Sequence, residues 1–147
     1  MTETPICEDG TAIDRWFKAL IVAIMAATFI PGLVIVSHQP LAGWVLLGTT
    51  VIDGLLFHWL VPRRFQLYPD RLRVVLGYPF AFNVRLDTIK EARAISAAQT
   101  LFNAGLRMAT SPSHGVEIRR RGGSDLVISP LNRELFLEQV NGALRRK

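Results

Sequence analysis

Between Ala19 and Ser37 the chain carries no charged residue, and a second apolar run of similar length extends from Leu41 to Val61. Each run matches one bilayer crossing, which takes about 20 predominantly apolar residues. A single helix over both would be about 65 Å long, roughly twice the hydrocarbon thickness. Ser37-His38-Gln39-Pro40 supplies a polar, helix-stopping turn between them. The pattern therefore predicts a mobile tail over 1–18, transmembrane helices over 19–37 and 41–61, and an external turn at 38–40. A cleaved signal peptide is disfavoured, because four acidic and two basic residues precede the first run and a second spanning run follows at once.

After Pro62 the pattern changes to alternation, the mark of half-buried strands. Leu72, Val74 and Leu76 alternate with Arg71 and Arg73, and Phe82, Val84 and Leu86 alternate with Asn83, Arg85 and Asp87. Phe65–Tyr68 leads into a short Pro69-Asp70 turn, and Gly77–Phe80 makes another. Residues Ile89–Ser96 fit a strand or a short helix, and Ala97–Gly105 reads as irregular or briefly helical. Leu106–Thr110, Val116–Arg119 and a last strand begun by Leu126 and Ile128 bring the expectation to about seven short antiparallel strands. A closing helix is expected with Ser129 as N-cap and Pro130 in its first position. On it Phe136, Leu137, Val140, Ala143 and Leu144 share an arc of about 120°, and Arg145-Arg146-Lys147 complements the negative end of the dipole.

Several short segments carry a family likeness: Tyr68-Pro-Asp-Arg-Leu-Arg-Val, Val84-Arg-Leu-Asp-Thr-Ile89, Gly115-Val-Glu-Ile118, Leu126-Val-Ile-Ser-Pro130 and Glu134-Leu-Phe-Leu137. On these residues the segment from about Phe65 to Leu144 resembles the bacterial pleckstrin-homology-like domains of the YyaB-like kind, which typically follow one or two transmembrane helices. The resemblance implies a bent antiparallel sheet whose open end is plugged by the C-terminal amphipathic helix. The expected fold class is thus a membrane α-hairpin followed by a small, mainly β, pleckstrin-homology-like domain over 63–147. It also implies a bacterial inner-membrane protein.

Charge sets the expected orientation. Arg15 and Lys18 flank the first run and Arg63 and Arg64 follow the second, whereas the turn has neither Lys nor Arg. The positive-inside rule then makes the protein multi-pass with both termini cytoplasmic. The net charge of +5 resides in the C-terminal part, with 15 basic and 7 acidic residues from Arg63 onward. Such a balance suits an anionic membrane surface. Nucleic acid is disfavoured because no aromatic residues interleave with the basic ones. Arg63, Arg64, Arg119, Arg120 and Arg121 are the candidate membrane-surface residues. Phosphoinositide binding, as in eukaryotic pleckstrin-homology domains, is disfavoured because the Tyr68–Arg71 turn is too short to cradle a headgroup.

Asp53 is the one Asp, Glu, Lys or Arg between Ala19 and Pro62. An ionised Asp at mid-bilayer is unfavourable by about 2.5–3.5 kcal/mol on translocon scales. Thr49 and Thr50 precede it by one turn, and Thr28 is expected at similar depth. Two roles follow, a hydrogen-bonded carboxyl that holds the hairpin or a homo-oligomer together, or a proton or ion relay. Ala19, Ala23 and Ala27, at spacing four, offer a face for close helix approach. No glycine-rich phosphate loop, metal-spaced His cluster or nucleophile elbow is present, so the sequence predicts no enzyme, metal or cofactor. Cys7 is the sole cysteine. The leading expectation is a non-enzymatic, membrane-anchored interaction or scaffold module, with an unknown protein partner or a second copy of itself. A sensor of anionic phospholipid is the alternative, and a small ion or proton carrier subunit using Asp53 is the second alternative.

Overall fold

The computed structural model describes residues 4–102 and 105–146, and the chain divides into two compact units. One unit, 14–60, is a helix pair; the other combines 1–13 with 61–147.

The helix pair consists of α1 (Arg15–Ile35) and α2 (Pro40–Leu60). At 21 residues each, with mean hydropathies of 2.2 and 1.5, both are long and apolar enough to cross a membrane. The first helix starts four residues before the apolar run and continues through Pro31. Its face toward α2 is made by Ile21, Met25, Thr28, Gly32 and Ile35, whereas Ala19, Ala23 and Ala27 are exposed. The alanine stripe expected to seat the second helix is therefore on the wrong face. Glycines permit the close approach instead. A Cβ on Gly32 would meet the Leu47 side chain at 3.0 Å, and one on Gly43 would fall onto the backbone of Val36, just past the end of α1. Side-chain termini can give way there, but backbone cannot. Replacing Gly43 with valine is accordingly expected to part the helices. The check is cross-linking by a short bifunctional thiol reagent between cysteines placed at Met25 and Gly54, positions that face each other, since a Cβ on Gly54 would lie 3.3 Å from the Met25 Cε. In a Cys7→Ser background, Gly43→Val should suppress the cross-link. Gly48→Val should leave it intact, because a Cβ at Gly48 meets nothing within 4 Å.

Among the described residues the second unit has eight strands in two four-stranded sheets. The first sheet is β1 (Cys7–Gly10), β2 (Arg64–Leu67), β3 (Arg71–Val75) and β4 (Ala81–Arg85), antiparallel in that order. Phe65, Leu67, Leu72, Val74 and Val84 point inward from it, as the alternation predicted. The second sheet contains β5 (Ile89–Ala94), β6 (Leu106–Met108), β7 (Val116–Arg120) and β8 (Leu126–Ile128), in the order β5-β7-β8-β6. Residues 89–94 are thus strand, and a short helix, α3 (Ala97–Phe102), follows. Residues 103 and 104 of that irregular stretch lie outside the described residues. Unlike the all-antiparallel expectation, β6 runs parallel to β8. The last helix, α4 (Arg133–Arg145), inserts Phe136 and Val140 into the core shared by both sheets, with Leu137, Ala143 and Leu144 packed around them. Lys147, expected at its basic end, lies outside the described residues.

Two expectations about chain ends are corrected. The segment before the helices is not a mobile tail, because Cys7–Gly10 forms a full edge strand on β2, from Cys7↔Leu67 to Gly10↔Arg64. Nor does Ser129-Pro130 start the last helix, whose N-cap is Asn132. Pro130 instead bridges to Thr11, and the Ser129 hydroxyl accepts the Thr110 N–H at 3.0 Å. That hydroxyl is engaged by the segment following β6 and is not left to cap.

Candidate functional site

The buried chemistry of the β unit gathers where the N-terminal segment crosses the start of α4. Residues 10–12 run along residues 129–131: Leu131 N–H donates to the Gly10 carbonyl at 2.8 Å, and Ala12 N–H to the Ser129 carbonyl at 2.9 Å. The Thr110 hydroxyl donates to the Ala12 carbonyl at 2.6 Å. One strand residue earlier, the buried Asp9 carboxylate accepts the Asn132 backbone N–H at 2.8 Å and its side-chain amide at 3.3 Å. Asn132 makes no side-chain cap of its own, so Asp9 supplies the anion that the positive end of α4 favours. These groups satisfy one another within the fold, which is structural chemistry. Sequence reading missed them because Asp9 and Asn132 are 123 positions apart.

On the outer face of the first sheet, Glu8 accepts from Arg64 at 2.8 Å and Gln66 at 2.9 Å. The hydrogen bonds from Gln66 and then Arg64 hold its carboxyl below the ordinary glutamate range. The folded value being depressed, this contribution is present above that range and fades as acid protonates the group. It is small, because both side chains are about half exposed. Cys7 behaves oppositely: burial first, then the nearby Asp9 charge, raise its thiol, and it packs against the core. It is a poor nucleophile there.

The five candidate arginines do not share one surface. Arg63 and Arg64 stand at the start of β2. Arg121 N–H donates to the Thr88 carbonyl, one 3-10 turn beyond Arg85, at the opposite end of the first sheet. Arg119 is drawn toward the buried Glu117 carboxylate at 3.4 Å, which Arg93 also engages at 2.6 Å. The Arg120 guanidinium folds over the Gly123 turn, with its Nε buried. Burial of Glu117 explains the arrangement, since a buried carboxylate needs compensating cations.

In the helix pair, a hydrogen bond joins the Thr50 and Thr28 hydroxyls across the two helices at 2.9 Å. Thr49 turns back onto its own Val45 carbonyl at 2.9 Å. Asp53 is half-buried at the edge of the α1-facing surface and forms no hydrogen bond to these threonines among the described residues. The expected Asp53–Thr cluster is thus a Thr–Thr pair with the carboxyl beside it. Of the histidines, His114 accepts or donates through one ring nitrogen, Nδ1, to both Ser111 and Ser113 hydroxyls, at 3.1 and 3.0 Å. Both hydroxyls occupy the same nitrogen, unlike a relay in which the two ring nitrogens serve different partners. Among the described residues no three His, Cys, Asp or Glu side chains group as metal ligands.

Comparison with protein-family models, with curated proteins and with solved structures finds no match.

Proposed function

We propose that this chain is a non-enzymatic, membrane-anchored module that holds a pleckstrin-homology-like interaction domain at the inner leaflet of a bacterial plasma membrane. The observation that carries it is the pairing of β1 with β2 across the apolar helices. The helix pair is an insertion between two neighbouring strands of one domain. Residues 7–10 and 64–67 must then be on the same side of any membrane the helices enter, which supports an out-and-back hairpin. The Arg15, Lys18, Arg63 and Arg64 bias favours the cytoplasm for that side. Two sheets sharing a core into which α4 sends Phe136 support the pleckstrin-homology-like reading, and the parallel β6–β8 pair is this chain's own departure.

Topology is tested by labelling with a membrane-impermeant thiol reagent in intact cells. Cys7 is a poor reporter, since it packs against the core. In a Cys7→Ser background, a cysteine at Gln39 should label from outside. One at the exposed Thr4 should label only after the membrane is opened. External labelling at Thr4 would reverse the orientation, and labelling of neither position from outside would remove the crossing.

A further inference from the structure

The register of the first sheet places three connections at one end. Gly10, where the chain leaves for α1, pairs with Arg64, where it returns from α2; Arg64 pairs with Val75, and Val75 with Ala81. The turn Leu76–Phe80 therefore leaves from the end of the sheet to which both helices are spliced. It is a closed turn, with Phe80 N–H on the Gly77 carbonyl at 2.8 Å and Leu76 N–H on the Phe80 carbonyl at 3.1 Å. It nevertheless holds out its rings: Tyr78 is 87% exposed and Phe80 50%. Beneath it lies an open concavity of about 470 Å³ on the outer sheet face, lined by Arg63, Arg64, Arg73, Tyr78 and Phe80 among others, with no acidic side chain in its lining. Glu8, at the rim, pairs with Arg64. Arg73 has no salt bridge among the described residues, and its buried Nε has no partner.

Exposed aromatic rings beside guanidinium groups form the combination that bilayer interfaces select. Rings settle at the headgroup level, and each cation near an anionic leaflet gains about 1 kcal/mol. Three residues, 61–63, separate α2 from β2, a reach of about 10 Å when extended. The geometry points to the Leu76–Phe80 turn and the Arg64–Arg73 face as a second contact with the membrane, engaging anionic phospholipid headgroups of the bilayer that the helix pair spans. The inference rests on that spanning reading. The turn adds a lipid-dependent restraint on the domain beyond its covalent links to the helix pair.

The test uses the full chain, Cys7→Ser, in lipid nanodiscs with a nitroxide at one introduced cysteine. Ile52, mid-way along α2, reports whether the helices span; Tyr78 reports the turn; Ser124, in the β7–β8 turn, is the aqueous control. In discs containing phosphatidylglycerol, the Tyr78 label should be shielded from a water-soluble nickel chelate relative to Ser124, and more so than in discs of phosphatidylcholine alone. Arg64→Gln with Arg73→Gln should shift the docked-to-free ratio of the Tyr78 label by at least about tenfold toward free. Equal shielding at Tyr78 and Ser124, with the Ile52 label in the oxygen-rich bilayer, would overturn the docking proposal and leave the spanning reading standing. Equal shielding of Tyr78 in the two lipids would overturn the anionic-headgroup assignment. An aqueous Ile52 label would remove the spanning reading and the proposal with it.

Discussion

A fragment beginning at Arg64 is expected not to fold, whereas residues 1–13 joined directly to 61–147 by a short glycine-serine linker should melt cooperatively as a mainly β protein. The hydropathy boundary at Pro62 suggests the opposite design, a domain that starts where the second apolar run stops. The structure assigns the first sheet's edge strand, the Asp9 carboxylate at the start of α4 and the Ala12 anchor on Ser129 to the segment before the helices. Removing it strips the ladder from β2 and leaves Thr110, Asn132 and Leu131 without their partners. Hydrogen bonds of this kind contribute about 1 kcal/mol each, and those to a buried carboxylate about 1.5–3. Their combined loss is at least about 5 kcal/mol, comparable to the whole stability of a small domain. The linker works because Gly10 and Arg64 are direct cross-strand partners about 5 Å apart, and the two cut ends, residues 13 and 61, lie only three positions beyond that pair on either side. Far-UV circular dichroism and thermal melts of the two proteins decide the matter. Stabilities agreeing within about 1 kcal/mol would mean that β1 rides on the fold without supporting it. Adding a peptide of residues 4–13 to the fragment should restore folding in trans.

The same strand shows where sequence reading stops. Cys7-Glu-Asp-Gly has little β propensity and no apolar alternation, so nothing local marks it as a strand. Its partner lies beyond the apolar helices, and only the closed fold brings the two together. The strands with strong alternation were legible because one face of each is buried: Leu72 and Val74 inward against Arg71 and Arg73 outward is a periodicity that burial alone produces. The apolar helices were legible for a simpler reason, since two successive runs of about 20 predominantly apolar residues leave few alternatives. What α1 turns toward α2 was not legible, because alanines recur along it, Gly32 is its one glycine, and composition does not say which face the partner takes. Gly43 was the stronger signal, a residue without Cβ close after the helix-breaking turn. The arginine candidates misled through proximity in kind. Two clusters of like residues look like one patch in sequence, but Arg119 is committed to Glu117, and Arg121 hangs from Thr88 at the far end of the sheet. Tyr78 and Phe80 were passed over as turn residues, and their exposure at the spliced end of the sheet is a property of register alone.

Replacing Phe136 with alanine is expected to destabilise the β unit by about 3–5 kcal/mol, the range for deleting a fully buried aromatic side chain. The residue is 1% exposed, and its ring meets that of the fully buried Phe65 edge-on, with centroids 6.1 Å apart. It is the largest side chain that α4 sends into the core, with Val140 one turn further on. Alanine would remove the edge-to-face contact together with the filling of the space between the sheets. Phe136→Leu should lose less, about 1–2 kcal/mol, because most of the volume is kept. Leu135 is the control next door: 51% exposed on the same turn of the helix, it should change stability by no more than about 0.5 kcal/mol when cut to alanine. The measurement is urea unfolding of the linker-joined β protein, read by circular dichroism with the slope held common across variants. A loss at Phe136 as small as that at Leu135 would mean that α4 lies on the domain without closing it. The pleckstrin-homology-like reading would then lose its support, since a C-terminal helix plugging the sheets is the feature on which it stands.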